Sequence, residues 1–288
     1  MLESAQMAAK HAGTNVDTGL DWTRPDSMTE TEIASLKAWY AHSHGEGNLD
    51  LTRLVPFLIE HAPGAMKRYR RYVTAVGAPE NALPHAVPIL LFFHYYMSTG
   101  MSRGVQWEMI AAKDAGITKQ QVLNVIELTI LTCGPVSGEV MCERSEDYFN
   151  RWDAAEDDES AVAWPRGWTL DEPHRHESGM NFVHAELTDD DWARLSAMYR
   201  RNGDDVPPYM NFLGRHRPDI VKVLRHRYEA VYAHMRLPKQ MLPLFPLHRG
   251  TIMGDARAVR EATIAAKRAE VSKDHVVQTV LWGFLHGS

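Results

Sequence analysis

The chain repeats itself, and this constrains its fold more than any single motif. The stretch TETEIASLKAWY (Thr29–Tyr40) returns as TDDDWARLSAMY (Thr188–Tyr199), keeping Thr, Ala, Leu, Ala and Tyr at an offset of 159 residues. FLIEHAPGAMKRYR (Phe57–Arg70) returns as FLGRHRPDIVKVLR (Phe212–Arg225) at an offset of 155. His94–Ile126 then returns as His248–Val280 at an offset of 154, matching His94/His248, Gly100/Gly254, Arg103/Arg257 and an Ala-Ala-Lys triplet in each copy. Three collinear blocks are hard to obtain by chance, so one architecture has to serve both halves of the chain.

The blocks divide the chain into an N-terminal arm (1–27), a first unit (28–152), a connector (153–186) and a second unit (187–288); the first unit is expected to hold the site, and the second, degenerate with Leu281 opposite Glu127, mainly to supply structure. The connector is rich in acids, Pro and Gly (DAAEDDES, WPRGW, DEPHRHESG), with too few apolar residues for a core of its own, and is expected to wrap over the surface. The arm reads the same way, ordered only where something else holds it.

Within each unit the apolar spacing is helical. VQWEMIAAKDAG sets Val105, Met109, Ala112 and Ala115 three and four apart, and ITKQQVLNVIELTILTCGP opens on a Thr cap and stops at Gly134-Pro135. Thr29 with Glu32 and Thr188 with Asp191 have the spacing of a capping box. No alternating apolar and polar run bounded by hairpin turns occurs, so the expected fold class is all-α.

Composition narrows the function. The 31 basic against 37 acidic residues leave a formal charge of -6, with no cationic excess to hold a phosphate backbone, so nucleic acid is not expected as a partner. No apolar run reaches the length of a membrane span, and residues 1–26 lack the pattern of a signal peptide. With only Cys133 and Cys142, nine apart, the sequence suits a reducing, cytoplasmic compartment and small-molecule work.

The stretch AAKDAGITKQQVLNVIELTILTCGP resembles the carboxymuconolactone decarboxylase and alkylhydroperoxidase-like superfamily: an Ala-rich helix, Gly, a Thr cap, a second helix, and a closing Gly with Pro beside it. The resemblance covers roughly 88–138 and is echoed in the second unit. It implies two tandem helical repeats assembling into a ring, a fused pair allowing three chains to do the work of six. In the peroxidase branch a CxxC and a His precede the turn. Counting back from Gly116, those positions fall on Met101, Gly104 and Glu108. Thiol peroxidase chemistry needs a thiolate that neither Met nor Gly supplies. The decarboxylase branch needs no cofactor, and the resemblance then implies decarboxylation, lactone opening or isomerisation of a small carboxylated or aromatic-derived compound, with Glu108 where the family commonly carries a His.

The candidate catalytic residues are His94, Glu127 and Glu108. His94 follows the apolar run VPILLFF and recurs as His248, so each is expected inside, where a His is either an acid/base group or a packed core residue. Glu127 lies among Leu123, Ile130 and Leu131 at helical spacing, a carboxyl at a core edge that is either a proton carrier or a group reaching for water. Arg103 could fork onto a substrate carboxylate or form a surface ion pair. Tyr95, Tyr96 and His248 would line the same pocket or fill an interface. The reading requires His94, Arg103 and Glu127 to converge on one cavity. No resident metal or cofactor is assigned; the rival readings are a metal-assisted hydrolase or lyase using the His-x-His segments HSHGE (His42–Glu46) and HRHES (His174–Ser178), or a non-catalytic ligand-binding relic.

Overall fold

A computed structural model describes residues 20–44, 54–77 and 83–287. Its described residues form thirteen α-helices and no strand; the only β-type pairing is an isolated bridge between Leu170 and Pro238. The fold is all-α. None of these helices is long and apolar enough to cross a membrane.

The order of helices is the same in both halves. The N-terminal half holds α1 (Glu30–His44), α2 (Leu54–His61), α3 (Pro63–Val76), α4 (Ala86–Thr99), α5 (Ser102–Asp114), α6 (Lys119–Cys133) and α7 (Val136–Arg151). The C-terminal half holds α8 (Asp189–Arg201), α9 (Pro208–His216), α10 (Pro218–Tyr232), α11 (Leu244–Ile252), α12 (Ala256–Arg268) and α13 (Lys273–Gly287). Sequence punctuation explains the ends. Pro63 and Pro218 start α3 and α10, where a missing N–H costs nothing. Thr118 with Gln121 and Thr188 with Asp191 close reciprocal capping boxes.

α4 is apolar on every side and nearly all of it is buried, which makes it the central helix, packed by α5, α6, α7 and α11. α11 is its counterpart, packed by α12 and α13. The sixth helix of each half docks on the other half. Asn124 on α6 accepts the N–H of Arg236, just beyond α10, at 2.7 Å, and Arg227 on α10 donates to the Ile130 carbonyl at 2.8 Å. Gln278 on α13, at the matching position, accepts the Leu83 N–H at 2.8 Å and donates to the Val76 carbonyl at 3.1 Å, while Tyr72 on α3 donates to the Leu281 carbonyl at 2.7 Å. The halves are therefore interlocked rather than laid side by side.

A second contact set also occurs twice. Lys67 on α3, fully buried, pairs with Glu32 on α1 at 2.7 Å and donates to the carbonyls of Asp21 and Arg24. Lys222 on α10 pairs with Asp191 on α8 at 2.8 Å and donates to the carbonyls of Asn181 and His184. Each lysine thus staples the segment before its unit, and this is what holds residues 20–27 of the arm; residues 1–19 lie outside the described residues.

The connector is irregular apart from two single 3-10 turns, as its composition predicts. It is not merely a surface wrap: Asp171, Ser178 and Met180 are buried, and its backbone bonds to Leu237 and Lys239. The loop can enter the interior because side chains of the second unit satisfy its backbone: Gln240, Glu229 and Asp191 accept from Thr169, Ser178 and Asn181, and Lys222 and Arg225 donate to the carbonyls of Asn181, His184 and His176.

Candidate functional site

The apolar run of α4 carries His94, Tyr95 and Tyr96 into the interior, where they meet groups from the other half. Tyr96 Oη lies 2.7 Å from His286 Nε2 on α13. Phe92 meets the His286 ring edge-on at 4.5 Å, and Tyr95 and Phe92 flank His248 at 6.1 and 5.5 Å. His94 packs on Phe245 at 5.1 Å. The three imidazoles are neutral. Burial, helped by Arg249, lowers His94 to about 3; burial lowers His286 to about 4; burial, then His286 and His94, push His248 well below its ordinary value. Neither ring nitrogen of His248 has an aligned hydrogen-bond partner, and the Nδ1 atoms of His94 and His286 also lack one.

Glu108 on α5 is buried, takes no hydrogen bond among the described residues, and is raised well above the ordinary carboxylate range by desolvation. Its charge would oppose ionisation of Tyr96, whose hydroxyl is pushed up first by burial. Gly104 explains how Tyr96 fits: a Cβ there would come within 2.5 Å of the tyrosine ring. The two positions that the resemblance assigns to thiols are thus an exposed Met101 and a Gly104 covered by an aromatic ring.

The structure brings together His94, Tyr95, Tyr96 and His248, with Glu108 close to Tyr96, but does not draw Arg103 and Glu127 to them. Glu127 is half-buried and accepts from Asn124 Nδ2 at 3.2 Å, beside the docking contact to Arg236. Arg103 is half-buried with no bonded partner among the described residues, while its counterpart Arg257 makes an exposed ion pair with Glu261. No hydrogen bond, ion pair or ring contact joins His94, Arg103 and Glu127, and none of the seven candidates lines the large cleft described next.

That cleft, about 850 Å³, opens in the second half between α8, α10 and α12, with the connector along one side. Its wall carries Asp171 and His176, whose Nε2 lies 2.5 Å from Asp171 Oδ2. The carboxylate is buried, and its other oxygen accepts from Arg175 Nη1 at 3.1 Å. The His176 ring stacks on Tyr232 at 3.9 Å, Tyr232 on Tyr228 at 4.6 Å, and the Arg225 guanidinium lies 4.8 Å from Tyr228 and 5.9 Å from Tyr199. One signal in the sequence pointed here: the connector motif HRHES. It reads as a metal motif, yet its two rings diverge. His174 is exposed and pairs with Glu172 at 3.2 Å, whereas His176 turns inward to Asp171. Among the described residues no group of three or more His, Cys, Asp or Glu side chains is placed to hold a metal ion. The side chains of His42–Glu46 lie outside the described residues.

At the same place in the first half Tyr40 is buried. Tyr40 on α1 meets Trp107 on α5 at 6.4 Å, with Arg70 5.5 Å from the Tyr40 ring. Where the first half has Trp107 against Tyr40, the second has the aligned Glu261 and Tyr199 on the cleft wall. No family model matches this chain, and no curated protein or solved structure matches it significantly either.

Proposed function

We propose that the chain is a cofactor-independent acid/base enzyme acting on a small molecule in the second-half cleft, with His176 moving the proton and Asp171 positioning it. The observation that carries this is the Asp171–His176 pair at the wall of an 850 Å³ cleft. A buried carboxylate on Nε2 favours the tautomer protonated there, leaving Nδ1 as the proton acceptor, and stabilises the imidazolium formed when it accepts. The flat aromatic wall around the pair suits a small unsaturated compound. The duplicated lysine staples and reciprocal docking contacts support a tandem helical repeat; the carboxymuconolactone decarboxylase-like reading rests on the sequence resemblance alone. By that resemblance the reaction is a decarboxylation, lactone opening or isomerisation.

Incubation in D2O with a panel of small carboxylated lactones and their ring-opened acids, followed by NMR for turnover and deuterium incorporation, tests the proposal. Turnover is expected in the native chain, to fall by about 10²–10⁴ in His176→Gln, and to show a displaced pH profile in Asp171→Asn. Undiminished turnover in His176→Gln, or none of the panel changed by the native protein, overturns it.

A second reading keeps the chemistry in the first half, at Glu108, Tyr96 and His94. The unpartnered, protonated Glu108 favours it. On that reading Glu108→Gln, not His176→Gln, abolishes the same turnover.

A further inference from the structure

An Arg-on-Tyr arrangement occurs in both halves, and in the second it lines the cleft. In the first half Arg70 lies under Tyr40, which Trp107 covers. In the second half Arg225 lies between Tyr199 and Tyr228, all three lining the cleft. Arg225 is itself only 3% exposed, so its charge is held in a site of reduced solvent screening.

Its donors are unequally used. Nη2 donates to the His176 carbonyl at 2.6 Å, to Glu229 Oε1 at 3.2 Å and to Met198 Sδ at 3.3 Å. Nε, buried, has no partner. A buried guanidinium with an unmet donor is costly unless something in the cleft meets it. Glu229 pairs with this charge at 3.2 Å through an Oε1 that also takes the N–H and hydroxyl of Ser178, so it meets Nη2 and leaves Nε without a partner. Around Arg225 the wall is a continuous run of flat groups, from His176 through Tyr232 and Tyr228.

We infer that Arg225 is the specificity-determining residue of this cleft, selecting a flat, conjugated monocarboxylate whose carboxylate takes the unmet Arg225 Nε–H while its ring lies against the tyrosines. This deepens the proposed function, resting on the same cleft. It places the anion site in the second copy and assigns the first copy's Arg70 to packing. Neither selectivity nor binding requires His176 to move a proton, so the two ideas fail separately.

Benzoate is the probe, with benzamide matching its shape without charge and cyclohexanecarboxylate its charge without flatness. Calorimetry on the full chain is expected to give benzoate at least about a tenfold lower Kd than either control, since one charge-assisted hydrogen bond in a buried site is worth that factor. The Arg225 Nε–H resonance should shift on saturation with benzoate. Arg225→Gln is expected to erase the preference, and His176→Gln to keep it. Because Arg225→Gln removes a packed cation, the partly exposed Tyr209→Ala, on the cleft wall, supplies a second variant; it should weaken benzoate and benzamide together and leave the Nε–H shift in place. Benzoate binding no tighter than benzamide, or an Nε–H resonance that does not respond, overturns the inference. Loss of turnover in no variant, with benzoate selectivity intact, overturns only the acid/base reading.

Discussion

Lys67 and Lys222 are costly to bury, and both are paired. Burial pushes the Glu32 carboxyl up, but Lys67 and the N–H groups of Thr29 and Asp21 more than reverse this and hold it at about 2. Burial likewise acts on Asp191, and Lys222 with the N–H groups of Asn181 and Thr188 overcomes it in the same direction. Removing one partner of such a pair leaves an uncompensated buried charge and two carbonyls without a donor, a loss of about 3–5 kcal/mol. Lys67→Met and Lys222→Met should each lower the guanidinium unfolding free energy by that amount, and by similar amounts because their contacts match. A loss below about 1 kcal/mol in either would show that the staple contributes little. Neither lysine stands out in a sequence reading: both sit in aligned positions, but a lysine on a helix is ordinarily solvated, and only the captured loop carbonyls distinguish these two.

Among the elements, the helix starts and stops were legible and their partners were not. Thr caps, N-terminal prolines and the Gly-Pro stop mark the ends of α3, α6, α8 and α10 because they act within one turn. The apolar run of α4 marked it as buried. The docking of α6 on α10 and of α13 on α3 depends on Asn124 and Gln278 meeting backbone some 110 to 200 residues away, for which one sequence holds no signal. His286 escaped notice because its counterpart in the first half is Thr132, so the repeat gave it no emphasis. The repeat does expose a defect in the turn between α12 and α13. Gly116 takes a left-handed conformation at φ 77°, and the aligned residue in the second half is Glu270 at φ 62°. A side chain there costs roughly 1–2 kcal/mol, only partly offset by the exposed ion pair of Glu270 with Lys239. Glu270→Gly is therefore expected to raise the unfolding free energy by about 0.5–1 kcal/mol, measured by denaturant titration. Unchanged or reduced stability would mean that the ion pair outweighs the backbone term.

On the scale of the whole molecule, the neutral histidines sit where the interlocked halves meet: His94 on α4, His248 on α11 and His286 on α13. An imidazole whose folded pKa lies below its unfolded value near 6.5 binds fewer protons when folded, so its contribution is complete above that value and is lost as pH falls toward about 4 for His286 and about 3 for His94. Glu108 acts oppositely. Its raised folded pKa contributes below about 4.5 and is lost as pH rises from there toward that pKa. Between about pH 6.5 and 4.5 the three histidines therefore oppose one carboxyl, and stability should fall on acidification with a slope of up to about two protons. Glu32 and Asp191, held low, do not enter until more acid conditions. Because α13 is shared between the halves, acid should unfold them in one transition, with fluorescence and far-UV circular dichroism changing together. His248→Leu removes a buried ring with two unmet nitrogens; it should leave neutral-pH stability unchanged or higher and reduce the acid slope by up to about one proton. Two separated acid transitions, or a slope unaffected by His248→Leu, would mean that the histidine interface does not couple the halves.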